Sequence, residues 1–298
     1  MNKSLILLTL GLALAAPVQA HRDRDDRDND EEARPINEHR PLKADARVVV
    51  KNVEGMIEVE GWDKRELELT GELGPDVEKL EITGNESSIR IEVKLPRSNH
   101  DVDGETRLKL KIPYGATLEA QGVSADVRVR GLKGPVTAES VSGDVRLEVE
   151  SAKIKGSSVS GDVIVDAPAK EARLNSVSGD VRARGVRGEL RVESVSGEIT
   201  IEGRELVSLE AETVSGDVNL DIVPTGGADI SVETLSGEVT VTLPSEPQGE
   251  VRVETFSGEI SSPWWTIDED EKEFRRDGTG KGRLSLHSFS GDIVVRKR

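Results

Sequence analysis

VTAESVSGDVRL, residues 136–147, is the stretch whose reading decides the fold. Val136 and Ala138 share one parity, whereas Val141, Val145 and Leu147 share the other. A continuous strand cannot turn both sets inward, because a one-residue slip sends every side chain to the opposite face. The parity predicts a turn near Glu139–Ser140, so that two short strands meet at a corner. Gly143 falls on the inward parity between Val141 and Val145, where glycine allows a bend or a close backbone approach. Ser142 and Asp144 are then expected to point outward.

The phrase recurs. Its second serine is Ser124, Ser142, Ser160, Ser178, Ser196, Ser215, Ser236, Ser257 and Ser290, with spacings of 18, 18, 18, 18, 19, 21, 21 and 33. A unit this small cannot bury its apolar face alone, so neighbouring units must stack into a continuous core. The expected class is all-β, a parallel β-solenoid with turns of 18 to 21 residues. At roughly 4.8 Å per stacked turn, nine turns extend over about 40 Å. A propeller blade needs about 40 residues and four strands, which here takes two repeats per blade; calcium-binding rolls need a glycine-rich nine-residue period, which is absent.

Outward from the repeats, four segments are legible. Residues 1–20 read as a signal peptide: Lys3, then the apolar LILLTLGLALAAP, then VQA ending at Ala20. The apolar run is too short for a transmembrane span. Residues 21–45 begin with HRDRDDRDNDEEARPINEHRP, where Ile36 is the one large apolar residue, and are expected to be a disordered acidic linker. Residues 46–117 alternate with period two, as in SIRIEVKLP and RLKLKIP, and predict strands continuous with the array; PDVEKLEITG is the one helical candidate. Residues 118–298 are the repeat array, with an insertion at 261–282.

Composition narrows the function. The chain has no cysteine, which removes disulfides and thiolate chemistry. Its net charge of −17 becomes −18 when Lys3 leaves with the signal, and such a surface repels nucleic acid and anionic lipid. The four histidines, His21, His39, His100 and His287, show no metal-ligand spacing. GTGKG near Lys281 lacks the spacing of a phosphate loop.

Two sets of residues stand out as candidate sites. The first is a column of acids, Asp126, Asp144, Asp162, Asp180, Glu198, Asp217, Glu238, Glu259 and Asp292. Carboxylates stacked about 5 Å apart repel by roughly 1 kcal/mol per pair even in water. Arg128, Arg146 and Arg182 offset this in early turns, whereas Thr200, Asn219, Thr240 and Ser261 stand at that position later. The late acids Glu198, Asp217, Glu238 and Glu259, with Glu193, Glu212, Glu233 and Glu254 before the corner, are a candidate calcium site. The alternative is that the acids accept backbone N–H bonds or extend into water. The second set is Trp264 and Trp265 in the insertion, either a sugar- or protein-binding anchor or a cap over the open end. Trp62 is a core or capping candidate at the other end. No other cofactor and no catalytic residue is implied, although paired carboxylates leave no sequence signature.

VEGMIEVEGWD, LKLKIPYGATLEAQGVSADV and the SVSGDV series resemble the bacterial putative-adhesin family of β-strand-repeat proteins, related to the β-helical head domain of autotransporter adhesins. The resemblance covers residues 46–298. It implies a right-handed β-helix associated with the cell envelope and carries over no catalytic residues. One departure is the lack of a C-terminal membrane barrel after GDIVVRKR. The expected role is a non-enzymatic, periplasmic binding or scaffolding protein whose partner is an envelope polysaccharide or protein. A carbohydrate-active enzyme on a β-helix and a self-assembling structural protein are the alternatives; secretion and surface display are the alternative locations.

Overall fold

Strands form wherever the alternation runs, and the described residues contain no helix, hence none long and apolar enough to cross a membrane. In this computed structural model the described residues are 33–96, 104–268 and 270–298; the signal segment and the first part of the expected linker lie outside them. Residues 34–41, assigned by composition to that linker, form the strand β1 (Arg34–Pro41) instead. Its partner explains this. β1 lies antiparallel to β3 (Glu66–Leu73), which seats Ile36 at 7% exposure.

β2 (Arg47–Trp62), β4 (Lys79–Asn85), β5 (Ser88–Lys94) and β6 (Glu105–Pro113) complete the N-terminal region. The helical candidate PDVEKLEITG is corrected: its second half is β4. Leu80 sits opposite Val93 and Ile82 opposite Ile91 in antiparallel register with β5. A period-two pair that finds an apolar partner strand overrides weak helical propensity.

β7 (Thr117–Arg130) opens the regular array. Each following rung has two strands: β8 (Val136–Glu139) with β9 (Val145–Glu148), β10 (Lys153–Ser157) with β11 (Val163–Asp166), and β12 (Glu171–Asn175) with β13 (Val181–Arg184). The pattern continues through β14 (Gly188–Ser194), β15 (Ile199–Ser215) and β16 (Val218–Ser236). First strands pair in parallel at the repeat period, Ile154 lying between Val136 and Ala172. Second strands do the same, Val163 lying between Val145 and Val181. The two rows face each other across the core: a side chain on Gly156 would lie 3.1 Å from Val163 and 3.4 Å from Leu174. The result is an all-β, mostly parallel system of 22 strands among the described residues.

The corner lies two residues later than its expected place. Ser140 is buried, Val141 and Ser142 are both exposed, and Gly143 is buried again. Val141 is 46% exposed, which corrects its inward assignment. The cause is the Ser140 hydroxyl. It donates to the Ala125 carbonyl at 2.8 Å and accepts the Gly143 N–H at 3.0 Å, fixing the turn and taking the inward position itself. Ser158 repeats this with the Gly143 carbonyl at 2.9 Å and the Gly161 N–H at 3.0 Å. The close approach expected at the glycines is present: a Cβ on Gly161 would lie 2.3 Å from the Gly143 oxygen.

Both ends of the stack depart from sequence order. The C-terminal strands are β17 (Val239–Leu243), β18 (Glu250–Ser257), β19 (Ile260–Ser261), β20 (Glu273–Arg276), β21 (Arg283–Ser290) and β22 (Ile293–Lys297). β16 pairs with β21, and β21 pairs with β18. Likewise β17 pairs with β22, which pairs with β19. The last turn of the chain is therefore inserted between the two turns that precede it. At the other end β2 lies between β7 and the rung formed by β5 and β6, although it precedes both in sequence. Antiparallel strands then cover the outer edges: β3 on β6, β4 on β5, and β20 on β18. Covering an open edge in this way removes a template for unwanted strand pairing.

Candidate functional site

Because the corner turns at Val141–Ser142, one apolar residue per rung faces solvent. In spatial order these are Val123, Val141, Val159, Val177, Val195, Val214, Leu235, Phe289 and Phe256, ending at 72% exposure for Phe256. Phe289 and Phe256 stack at 4.9 Å between centroids and 6° between planes, which the inserted last turn makes possible. Sequence reasoning missed this column by placing the valine inside. The available signal was the residue before it, a hydroxyl at Ser140, Ser158, Ser176, Ser194, Thr213, Thr234, Thr255 and Ser288, all of them buried.

The acid column lies on the other side of the corner, and much of it bonds to backbone. Asp126 accepts the Asp144 N–H at 3.0 Å, Asp144 that of Asp162 at 2.9 Å, and Asp162 that of Asp180 at 2.9 Å. Asp180 accepts the Glu198 N–H at 3.0 Å, and Asp292 accepts that of Glu259 at 2.8 Å. Arg128 meets Asp126 at 3.4 Å and Arg182 meets Asp180 at 2.8 Å, as the i+2 spacing suggested.

The late candidates go separate ways. Glu198, one methylene longer, accepts from Thr200 at 3.0 Å and Asn219 at 2.9 Å. Asp217 accepts the Glu238 N–H at 2.9 Å, and Glu238 accepts from Thr240 at 2.8 Å. Asp292 lies between Glu238 and Glu259 in space, a consequence of the inserted turn. Among the described residues no three acidic or histidine side chains converge as a bound metal ion requires.

Trp265 is 8% exposed and belongs to the core, stacked on Phe274 at 4.8 Å with Arg276 over its ring. Its indole N–H donates to Glu246 at 3.2 Å, and Glu246 also pairs with Arg276. Trp264 packs half-buried beside it. These side chains cover the end of the stack. Trp62 is half-buried at the β2–β3 turn, where its indole donates to the Glu66 carbonyl at 2.9 Å and Lys64 lies 4.5 Å from its ring.

Grooves run beside the apolar column, between it and the outward residues two positions earlier. One, of about 670 Å³, spans the late rungs and is lined by Glu193, Glu212, Glu233, Val214, Leu235 and Phe289 among others. A second, of about 600 Å³, spans the early rungs around Lys51, Gln121, Glu139 and Val141.

Parallel two-stranded rungs stacked in two facing rows, with a turn of backbone-locked glycines at one edge, define a toastrack-like all-β protein. The chain belongs to the Toastrack DUF4097 family, which it matches over residues 42–296. It is similar to a putative lipid binding protein from Parabacteroides distasonis, with 17% identity and a TM-score of 0.53, over 88% of this chain and 97% of that one; this shows a shared fold. It also matches a putative adhesin from Bacteroides fragilis (12% identity, TM-score 0.38, 88% of this chain and 97% of that one). A putative adhesin from Parabacteroides distasonis matches at 10% identity and a TM-score of 0.37, over 88% and 98% of the two chains. No curated protein matches the chain.

Proposed function

We propose that this chain is an exported, non-enzymatic binding or scaffolding protein of the bacterial cell envelope, adhesin-like in role and periplasmic in location. Its winding, in this reading, is a right-handed parallel β-solenoid with exchanged turns at both ends. Parallel registers at the repeat separation support the solenoid, and the family resemblance supports its hand. The observation that carries the functional reading is the exposed apolar column from Val123 to Phe256. Contiguous apolar surface left facing water marks a contact face. A contact repeated once per rung suits a long partner, an envelope polysaccharide or protein, better than a small substrate. The strongly negative charge disfavours nucleic acid and anionic lipid as that partner.

Co-sedimentation of the purified mature protein with washed envelopes tests the reading. Pelleting is expected both with and without a chelator; a protein that stays in the supernatant in both contradicts it. Turnover on a panel of polysaccharides would instead establish the enzymatic alternative. Concentration-dependent growth in size by sedimentation velocity would establish self-assembly.

A further inference from the structure

The outward columns change character along the stack. In the late rungs the residues two positions before the apolar column are Glu193, Glu212, Glu233, His287 and Glu254, in direct parallel register. Beside them the column becomes Val195, Val214, Leu235, Phe289 and Phe256, bulkier toward the end. Between the two rows lie Ser194, Thr213 and Thr234, each at most 6% exposed, whose hydroxyls have no hydrogen-bond partner. One wall of the late groove is thus acidic and the other apolar, with Ser194, Thr213 and Thr234 beneath them.

The acidic wall is only partly neutralised. Arg191 holds Glu193 at 2.7 Å and Glu212 at 3.3 Å, and Arg252 holds Glu254 at 3.1 Å. Among the described residues Glu233 has no ion-pair partner, and it is exposed. The early groove carries less of this charge: its matching positions are Glu92, Lys51, Gln121, Glu139 and Ser157, with Glu139 paired with Lys155 at 2.6 Å and Glu92 paired with Lys94.

We infer that the late groove binds a cationic amphipathic helix of a partner protein, with its apolar stripe on Leu235 and Phe289 and its Lys or Arg stripe on Glu212 and Glu233. The inference rests on the envelope-binding reading and specifies its partner. Charge complementarity selects a cationic ligand, and the apolar wall requires that it also be amphipathic. Pitch selects a helix. Rungs repeat about every 4.8 Å, and an extended chain presents one face about every 6.7 Å, so it is out of step after two rungs. A helix presents one face about every 5.4 Å and drifts by only about 2.4 Å over the four late intervals, within reach of a lysine side chain. A second copy of this chain is disfavoured, because it would set one acidic row against another.

The test uses a fluorescent 18-residue Leu/Lys amphipathic peptide, titrated by anisotropy against the mature protein. Leu235→Ser with Phe289→Ser, and separately Glu212→Gln with Glu233→Gln, are expected to weaken binding at least about tenfold, about 1.4 kcal/mol. Val141→Ser with Val159→Ser, on the early column, is expected to leave it within about twofold, and a Leu/Glu peptide is expected not to bind. All these substitutions are at exposed or half-buried positions, and circular dichroism confirms folding. Equal binding by late-groove variants and wild type overturns the inference, as does equal weakening by the early variants, which marks non-specific attraction. Envelope sedimentation separates the two levels. If late-groove variants lose the peptide but pellet like wild type, the helix is not the envelope partner and this inference fails while the envelope reading stands. If wild type does not pellet at all, the envelope reading itself fails.

Discussion

The early and late rungs solve the same stacking problem with different completeness. From β8 to β13 the turns are 18 residues long, the corner hydroxyls of Ser140 and Ser158 bridge backbone groups of two rungs, and each aspartate hands its carboxylate to the next rung's N–H. From β14 onward the turns lengthen, Ser194, Thr213, Thr234 and Ser288 leave their buried hydroxyls unpaired, and Glu198 and Glu238 turn to side-chain partners instead. The early half is built for stacking alone. The late half gives up part of that bonding and carries the acidic row and the bulkier apolar residues, the combination expected where a surface serves contact rather than only structure.

The largest effect that can break this comparison lies at the glycine column. Gly161→Ala forces a Cβ to within 2.3 Å of the Gly143 oxygen, and a loss of about 3 kcal/mol is expected in urea unfolding. Gly226→Ala, within β16 where an added Cβ meets nothing within 4 Å, is expected to change stability by less than about 0.5 kcal/mol. Next comes the corner hydroxyl. Ser158→Ala leaves the Gly161 N–H and the Gly143 carbonyl short of a partner and is expected to cost about 2 kcal/mol. Thr213→Val removes a hydroxyl that has no partner and is expected to be neutral or stabilising. Equal costs at the two sites would erase the distinction between halves.

Smaller still is the acid column. Asp162→Ala removes an acceptor from the Asp180 N–H and is expected to cost about 1 kcal/mol, whereas Glu259→Ala, whose side chain has no partner among the described residues, is expected to cost nothing measurable. The smallest effect is at Glu212. Burial first, then its hydrogen bond with Glu210, raise its carboxyl above the usual range, with Arg191 opposing. A carboxyl raised in the folded state adds stability once protonated and loses it as pH rises through the folded value. Glu212→Gln is therefore expected to be slightly more stable than wild type at neutral pH, by an amount that shrinks in acid. Solvent screening of a side chain that is 43% exposed keeps the effect small.

Much of this was legible in the sequence, for definite reasons. The 18-residue period of SVSGDV fixed the parallel registers, and the glycine in it announced the close backbone contact. The corner was misplaced because Ser140 reads as an outward polar residue until its two backbone partners are seen. β1 was hidden because its charged sequence is ordered only by β3, a strand roughly thirty residues away. The exchanged last turn was invisible because ETFSGEI and HSFSGDI are interchangeable in pattern, so no local signal orders them. The late groove was missed with the corner: Glu193, Glu212, Glu233 and Glu254 were grouped with the acids beyond it, although the apolar column lies between them.

The order of the rungs underlies the column, the stacked phenylalanines and the late groove together, and a chain without cysteine lets it be measured directly. Leu235→Cys with Phe289→Cys places two thiols on adjacent rungs, where strands stack about 4.8 Å apart, a spacing suited to a disulfide's Cα separation; Leu235→Cys with Phe256→Cys places them two rungs apart. Mild oxidation is predicted to crosslink the first pair and leave the second reduced. Crosslinking of the 235–256 pair in place of 235–289 would show that the turns stack in sequence order, and would contradict the account.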